Sequence, residues 1–175
     1  GTRGGGRLRV RTAGEGDRLA LLLHGFPERW FSWRHQMPML ARLGYRVWAP
    51  DLRGYGDSDK PERVRDYAMP ELVADVAALV EASGAREVAL IAHDWGGMVG
   101  WHVVSERACQ VDRFVAMNIP HPAIFMPRMI TPGRQMLRST YIYLFQIPGL
   151  AERRLAANDA HAIRAAFLSM TTDPS

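Results

Sequence analysis

The run "RLALLLHG", residues 18–25, constrains the fold more than any other stretch. Its apolar side chains follow one another without a polar face, which suits a strand buried on both sides and ending at a glycine turn. Such a strand needs neighbours in a sheet and a layer on each side, and the flanking sequence supplies them. "RLRVRTAG" alternates Leu8 and Val10 with arginines, as a half-buried strand does. Trp33, Met37, Leu40 and Leu43 recur at helical spacing, and Gly44 follows as a stop. "YRVWAPDL" is the next strand. Pro70 opens a helix with an apolar face of Leu72, Val73, Val76, Leu79 and Val80, closed by Gly84. "EVALIA" is a strand, "GGMVGWHVVSE" a helix apolar on most sides, and "DRFVAMN" a strand again. Strand and helix alternating at short intervals predict an α/β fold with a mainly parallel sheet in three layers.

The character changes after Asn118. "IPHPAIFMP" is a proline-punctuated crossing, and beyond it only helical patterns recur, at about 134–146, 151–157 and 159–170. Asn158 or Asp159 can cap the last of them. The chain thus reads as a strand-bearing part, 1–120, followed by a helical part, 121–175.

With 175 residues, 47% of them hydrophobic and 23% charged, there is enough material for one ordinary core. The net charge of +4 comes from arginines scattered among acidic residues rather than from a basic stripe, so no nucleic-acid partner is expected. Cys109 stands alone, which excludes a disulfide framework and a cysteine metal site, and the histidines lack the spacing of a metal pair. No apolar run reaches the length of a membrane span. The first residues carry no apolar signal core and no initiator Met; they read as a truncated start or the remnant of a tag. A cytoplasmic protein without a cofactor is the expectation.

The chemistry concentrates at "IAHDWGGMVG", residues 91–100. Strand, then small-x-acid-x-Gly, then helix is the pattern of a nucleophile elbow, with Ala92 and Gly96 as the small residues that allow the tight turn. It places Asp94 at the C-terminal edge of the sheet, where open α/β sheets bind ligands, with a helix N-terminus facing an anion. Asp94 is equally a good helix N-cap. What favours the elbow is a second element, "LLLHGFPERWFSW", in the place where this kind of site draws an oxyanion-hole N–H. The two backbone donors would be those of Phe26 and Trp95.

Taken together, "HGFPERWFSWRHQMPMLARLGYRVWAPDLRGYGDSDKP", "HDWGGMVGW" and "NIPHP" resemble the epoxide hydrolase branch of the α/β-hydrolase fold family over nearly the whole chain. The resemblance implies residues 1–120 as the N-terminal part of the hydrolase core and 121–175 as part of a helical cap. It implies Asp94 as nucleophile, Phe26 and Trp95 as oxyanion-hole donors, and a cis Phe26–Pro27 bond. It also implies a proton-donating tyrosine in "STYIYLFQIPG", matched by Tyr141, with Tyr143 beside it. Trp30, Phe125 and Tyr143 are the candidate pocket residues, and a small apolar epoxide the expected substrate.

An aspartate suits that chemistry. Its carboxylate can displace a leaving group at a saturated carbon, forming an ester whose carbonyl belongs to Asp94, and water can then attack that carbonyl beside the oxyanion hole. An opening epoxide needs a proton, which a tyrosine can give. A departing halide needs only N–H donors, so a haloalkane dehalogenase holding halide on the Trp95 indole is the alternative chemistry. A non-catalytic, degenerate α/β hydrolase is the alternative class. Asp51, Arg53 and Asp57 in "DLRGYGDSD" read as a loop bracing the elbow, and His35, His93, His102, His121 and His161 as structural residues. The acid and histidine that the family places after its cap have no counterpart, since Asn118 is uncharged and the chain stops at "TTDPS". The expectation is therefore a fragment unable to turn over by itself, with an apolar edge strand open to association.

Overall fold

Leu19, Leu21, Leu22 and Leu23 are all fully buried at the centre of a five-stranded sheet. The computed structural model describes residues 6–124, 127 and 149–170. Its strands are β1 (Val10–Ala13), β2 (Arg18–Leu23), β3 (Arg46–Pro50), β4 (Glu87–His93) and β5 (Arg113–Met117), in the spatial order β1-β3-β2-β4-β5. β1 runs antiparallel to β3, and the other pairs are parallel.

Alternation along β2 explains the layers. Leu19, Leu21 and Leu23 point into one cluster with Val73, Val76, Val99 and Val103. Ala20 and Leu22 point into another with Trp33, Met37, Val47 and Ala49. Helices α2 (Met69–Ser83) and α3 (Asp94–Ser105) therefore cover one face, and α1 (Gln36–Arg42) covers the other. Each fully buried leucine contributes about 1.5–3 kcal/mol relative to exposure. In α2, Pro70 lies at the start and Gly84, at φ 57, closes the helix in the left-handed region.

Two helical expectations are corrected. The stripe Trp33, Met37, Leu40, Leu43 is not one helix: Trp33 ends a 3-10 turn, Trp30–Trp33, and α1 starts afresh at Gln36. A continuous helix would bury Pro38 in its interior, where its ring clashes with the carbonyl four residues back; restarting puts it in a first turn. Leu43 falls just past the helix end and is 62% exposed.

The chain divides into two compact units, Gly1–Pro122 and Ala123–Ser175. In the second, the patterns at 151–157 and 159–170 form one helix, α4 (Leu150–Met170), not two. Positive φ at Asn158 (51°) and Ala160 (57°) marks the expected junction without ending it. The pattern at 134–146, with Tyr141 and Tyr143, lies outside the described residues, as does Phe125. No helix among the described residues is long and apolar enough to cross a membrane.

Candidate active site

The chain leaves β2 towards β3 on one side, then returns across β2 to β4 on the other. The crevice beyond the C-terminal ends of β2 and β4 is thus a topological switch point, where open α/β sheets bind ligands. His24, Gly25 and Phe26 follow β2 there, and Asp94 follows β4.

Asp94 has φ 48, a left-handed conformation unusual for a residue with a Cβ. It starts α3 immediately after His93, which is still extended (φ −119, ψ 140). The turn is held by close packing. Gly96 N–H donates to the His24 carbonyl at 3.1 Å, and a Cβ at Gly96 would lie 2.5 Å from that oxygen. A Cβ at Gly97 would collide with Ile119 Cγ2, and one at Gly100 would lie 2.7 Å from the Phe114 ring. The small residues of "WGGMVGW" therefore let α3 settle onto the sheet with Asp94 raised at its rim.

The facing loop is built to approach it. Phe26 N–H donates to Asp94 Oδ1 at 3.0 Å. A Cβ on Gly25 would lie 2.7 Å from Asp94 Cβ, so only glycine lets the loop come this near. The Phe26–Pro27 bond is cis. Glu28 closes the turn: its N–H donates to the Gly25 carbonyl at 2.9 Å, and its carboxylate accepts from Gly25 N–H at 3.3 Å. Trp95 is the second residue of α3, so its N–H is among the first-turn donors that have no acceptor within the helix.

His24 anchors this loop from below. It is fully buried; its Nε2 accepts the Leu52 N–H at 2.9 Å, which assigns the proton to Nδ1, 2.9 Å from the Gly25 carbonyl. Burial pushes its pKa below the ordinary value, against the opposing pulls of the Gly25 carbonyl and the Asp51 and Glu28 carboxylates. The loop after β3 is pinned in turn. Asp51, 1% exposed, accepts from the N–H groups of Trp30 (2.9 Å) and Asp57 (3.2 Å). Arg53 makes a two-pronged pair with Asp75 of α2, at 2.8 and 2.7 Å, and a third bond to the Asp66 carbonyl at 2.9 Å.

A cleft of about 420 Å³ opens beside Phe26 and Trp95, walled also by Arg53, Tyr55, Tyr67 and Leu72. The Tyr55 ring packs edge-on against His24 with centroids 4.9 Å apart. Its pKa is pushed up to about 12, by burial first and by the Asp94 charge second.

A profile described as alpha/beta hydrolase fold matches residues 21–161. The chain belongs to the α/β-hydrolase fold family. Its relatives include epoxide hydrolases: it is 40% identical to mouse epoxide hydrolase 4 over 95% of this chain and 46% of that protein. It is 41% identical to epoxide hydrolase A of Mycobacterium tuberculosis over 91% of this chain and 51% of that one. A crystal structure of a Bacillus megaterium epoxide hydrolase variant, complexed with its product (R)-3-[1]naphthyloxy-propane-1,2-diol, superposes with a TM-score of 0.85 at 31% identity, over 94% of this chain and 57% of that one. The chain spans about half the length of the relatives it matches.

Within this α/β hydrolase the structure brings Asp94, Phe26 and Trp95 together. Trp30 it places elsewhere, under Arg11 (4.8 Å to the ring centroid) and against the α1-side core. Tyr141, Tyr143 and Phe125 lie outside the described residues. His93 faces a second concavity with Glu28, Ser32, Trp33 and Met117, its Nδ1 3.4 Å from the Glu28 carboxylate. His102 pairs with Glu106 at 3.0 Å, and His121 packs edge-on against Trp101. No cluster of three or more metal-ligating side chains occurs among the described residues. Sequence reasoning missed Tyr55, Tyr67 and Asp75. Only Asp75 left a signal: a carboxylate inside the apolar stripe of α2, 3% exposed, has to have a cationic partner.

Proposed function

We propose that this α/β hydrolase opens epoxides to diols through an ester on Asp94. One observation carries the reading: a carboxylate, not a hydroxyl, stands at the strained elbow and receives the Phe26 N–H at 3.0 Å. In the first step an Asp94 oxygen bonds to an epoxide carbon, the ring C–O bond breaks, and the alkoxide takes a proton. The resemblance assigns that proton to Tyr141. In the second step water adds to the Asp94 carbonyl carbon, with the oxyanion held by the Phe26 and Trp95 N–H groups. The ester then breaks to release the diol and restore the carboxylate. The diol keeps one oxygen that came from Asp94.

The second step needs a base for water. Among the described histidines, His24 is sealed with both nitrogens engaged, His93 faces the other concavity, His102 and His121 have partners of their own, and His35 and His161 are exposed, at the start of α1 and on α4. The 175-residue chain by itself therefore stops at the ester. Incubation with styrene oxide followed by intact-mass and peptide mapping tests this. The expected result is one addition per chain, located at Asp94 and absent from Asp94→Asn. Sustained diol release by the purified chain would overturn the single-turnover claim. Unmodified Asp94 would overturn the nucleophile assignment, and halide release from a chloroalkane with no epoxide reaction would favour dehalogenase chemistry.

A further inference from the structure

The cleft beside Asp94 has few polar groups, and most are already occupied. Arg53 donates its N–H bonds to Asp75 and the Asp66 carbonyl. The Tyr67 hydroxyl donates to the Pro61 carbonyl at 2.8 Å. The Trp95 indole is on a residue 40% exposed, where water serves it. The Tyr55 hydroxyl is different. It sits on a partly buried ring fixed by its edge contact with His24, and it has no hydrogen-bond partner among the described residues. It is not one of the polar atoms sealed from solvent, so it reaches the cleft. With the cleft open only water can meet this donor, and a substrate oxygen entering the cleft can take the place of that water.

We infer that Tyr55 is a substrate-positioning residue whose hydroxyl donates a hydrogen bond to a second oxygen on the epoxide substrate, of the kind carried by a glycidyl ether. This rests on Asp94 being the nucleophile. Three observations support it. The cleft is continuous with the site, because Phe26, whose N–H holds Asp94, and Trp95, the residue after it, form its wall. The Asp94 charge acts on Tyr55 directly, and together with burial it keeps the phenol protonated, with a pKa of about 12, so the group is a donor at any working pH. Apart from Arg53 and Gly54, the rest of the wall, Phe26, Tyr67, Leu72 and Trp95, is aromatic or aliphatic and suits an aryl substituent beyond that oxygen.

The test compares phenyl glycidyl ether with 4-phenyl-1,2-epoxybutane, in which CH₂ replaces the ether oxygen. Rates of adduct formation at Asp94 are read by intact mass, in the unmodified chain and in Tyr55→Phe, which keeps the ring against His24 and removes only the hydroxyl. The ether-to-carbon rate ratio should fall about threefold to tenfold in Tyr55→Phe, the worth of one hydrogen bond. Taking a ratio of ratios cancels the intrinsic reactivities of the two epoxides. A merely structural role would slow both substrates alike and leave the ratio unmoved, which overturns the inference. Tyr67→Phe, whose hydroxyl is already bound, should leave the ratio as it is. Should Tyr55→Phe fail to fold, the unmodified chain still decides. With each rate divided by that of free acetate, the ether should exceed its carbon isostere by at least about threefold, and equality overturns the inference. Absence of any Asp94 adduct with either epoxide overturns the nucleophile reading and this one with it, whereas adducts with an unmoved ratio overturn only the role of Tyr55.

Discussion

His24 ties three parts of the site through one ring. It donates to the Gly25 carbonyl, accepts from Leu52 N–H, and offers its face to the edge-on contact with Tyr55, all without exposure to water. Only the neutral ring fits this arrangement, since a second ring proton would meet the Leu52 N–H head-on. Burial lowers its pKa in the folded chain from the ordinary 6.5. The unfolded chain therefore binds a proton at a pH where the folded chain does not. The stability this group lends is complete above about 6.5 and is lost as pH falls from there through the folded pKa. Urea midpoints should drop between pH 7.5 and pH 5. His24→Gln should take up to one proton out of that slope, about 1.4 kcal/mol per pH unit; a slope unchanged in the variant would assign the effect to another histidine. The elbow position of Asp94 and the approach of Phe26 to it were legible in the sequence because each belongs to a short local motif. The partners of His24 were not, because Leu52 comes from 28 residues away and nothing local announces it.

Among the elements, α2 does more than cover the sheet. Its Asp75 receives Arg53 from the loop after β3, with side chains 4% and 9% exposed, and that loop also presents Tyr55 to His24. Breaking a buried pair of this kind leaves one charge without a partner and costs about 3–5 kcal/mol. Asp75→Ala should lower the denaturation free energy by that amount, while Arg53→Met combined with Asp75→Leu should recover part of it. Equal losses in the single and double variants would show that the pair is not what holds the loop. The regular elements were readable where periodicity alone decides them: β2 from its unbroken apolar run, α2 from its stripe and terminal Gly84. Reading failed where a single residue outweighed the period. Pro38 split the expected first helix, and no new helix begins at the expected N-cap, Asn158 or Asp159, because α4 runs through it.

For the whole molecule, the described sheet ends at β5, where Val115 is 47% exposed and no further strand pairs among the described residues. An open apolar edge is a template for another chain. Sedimentation of the purified 175-residue chain should show dimers or larger species that dissociate on Val115→Lys, and a monomer at all concentrations would sink this prediction. The sheet order has a different consequence. Phe26 and Asp94 are 68 residues apart and face each other only because β2 and β4 pair in parallel, from Arg18 opposite Glu87 to Leu23 opposite Ala92. Between them the chain must first lay down α1, β3 and α2. Until that ladder forms there is no amide aimed at the carboxylate and no elbow to raise it. A nascent or partly unravelled chain thus carries an ordinary aspartate, and the nucleophile proposed above is assembled by the same event that completes the sheet.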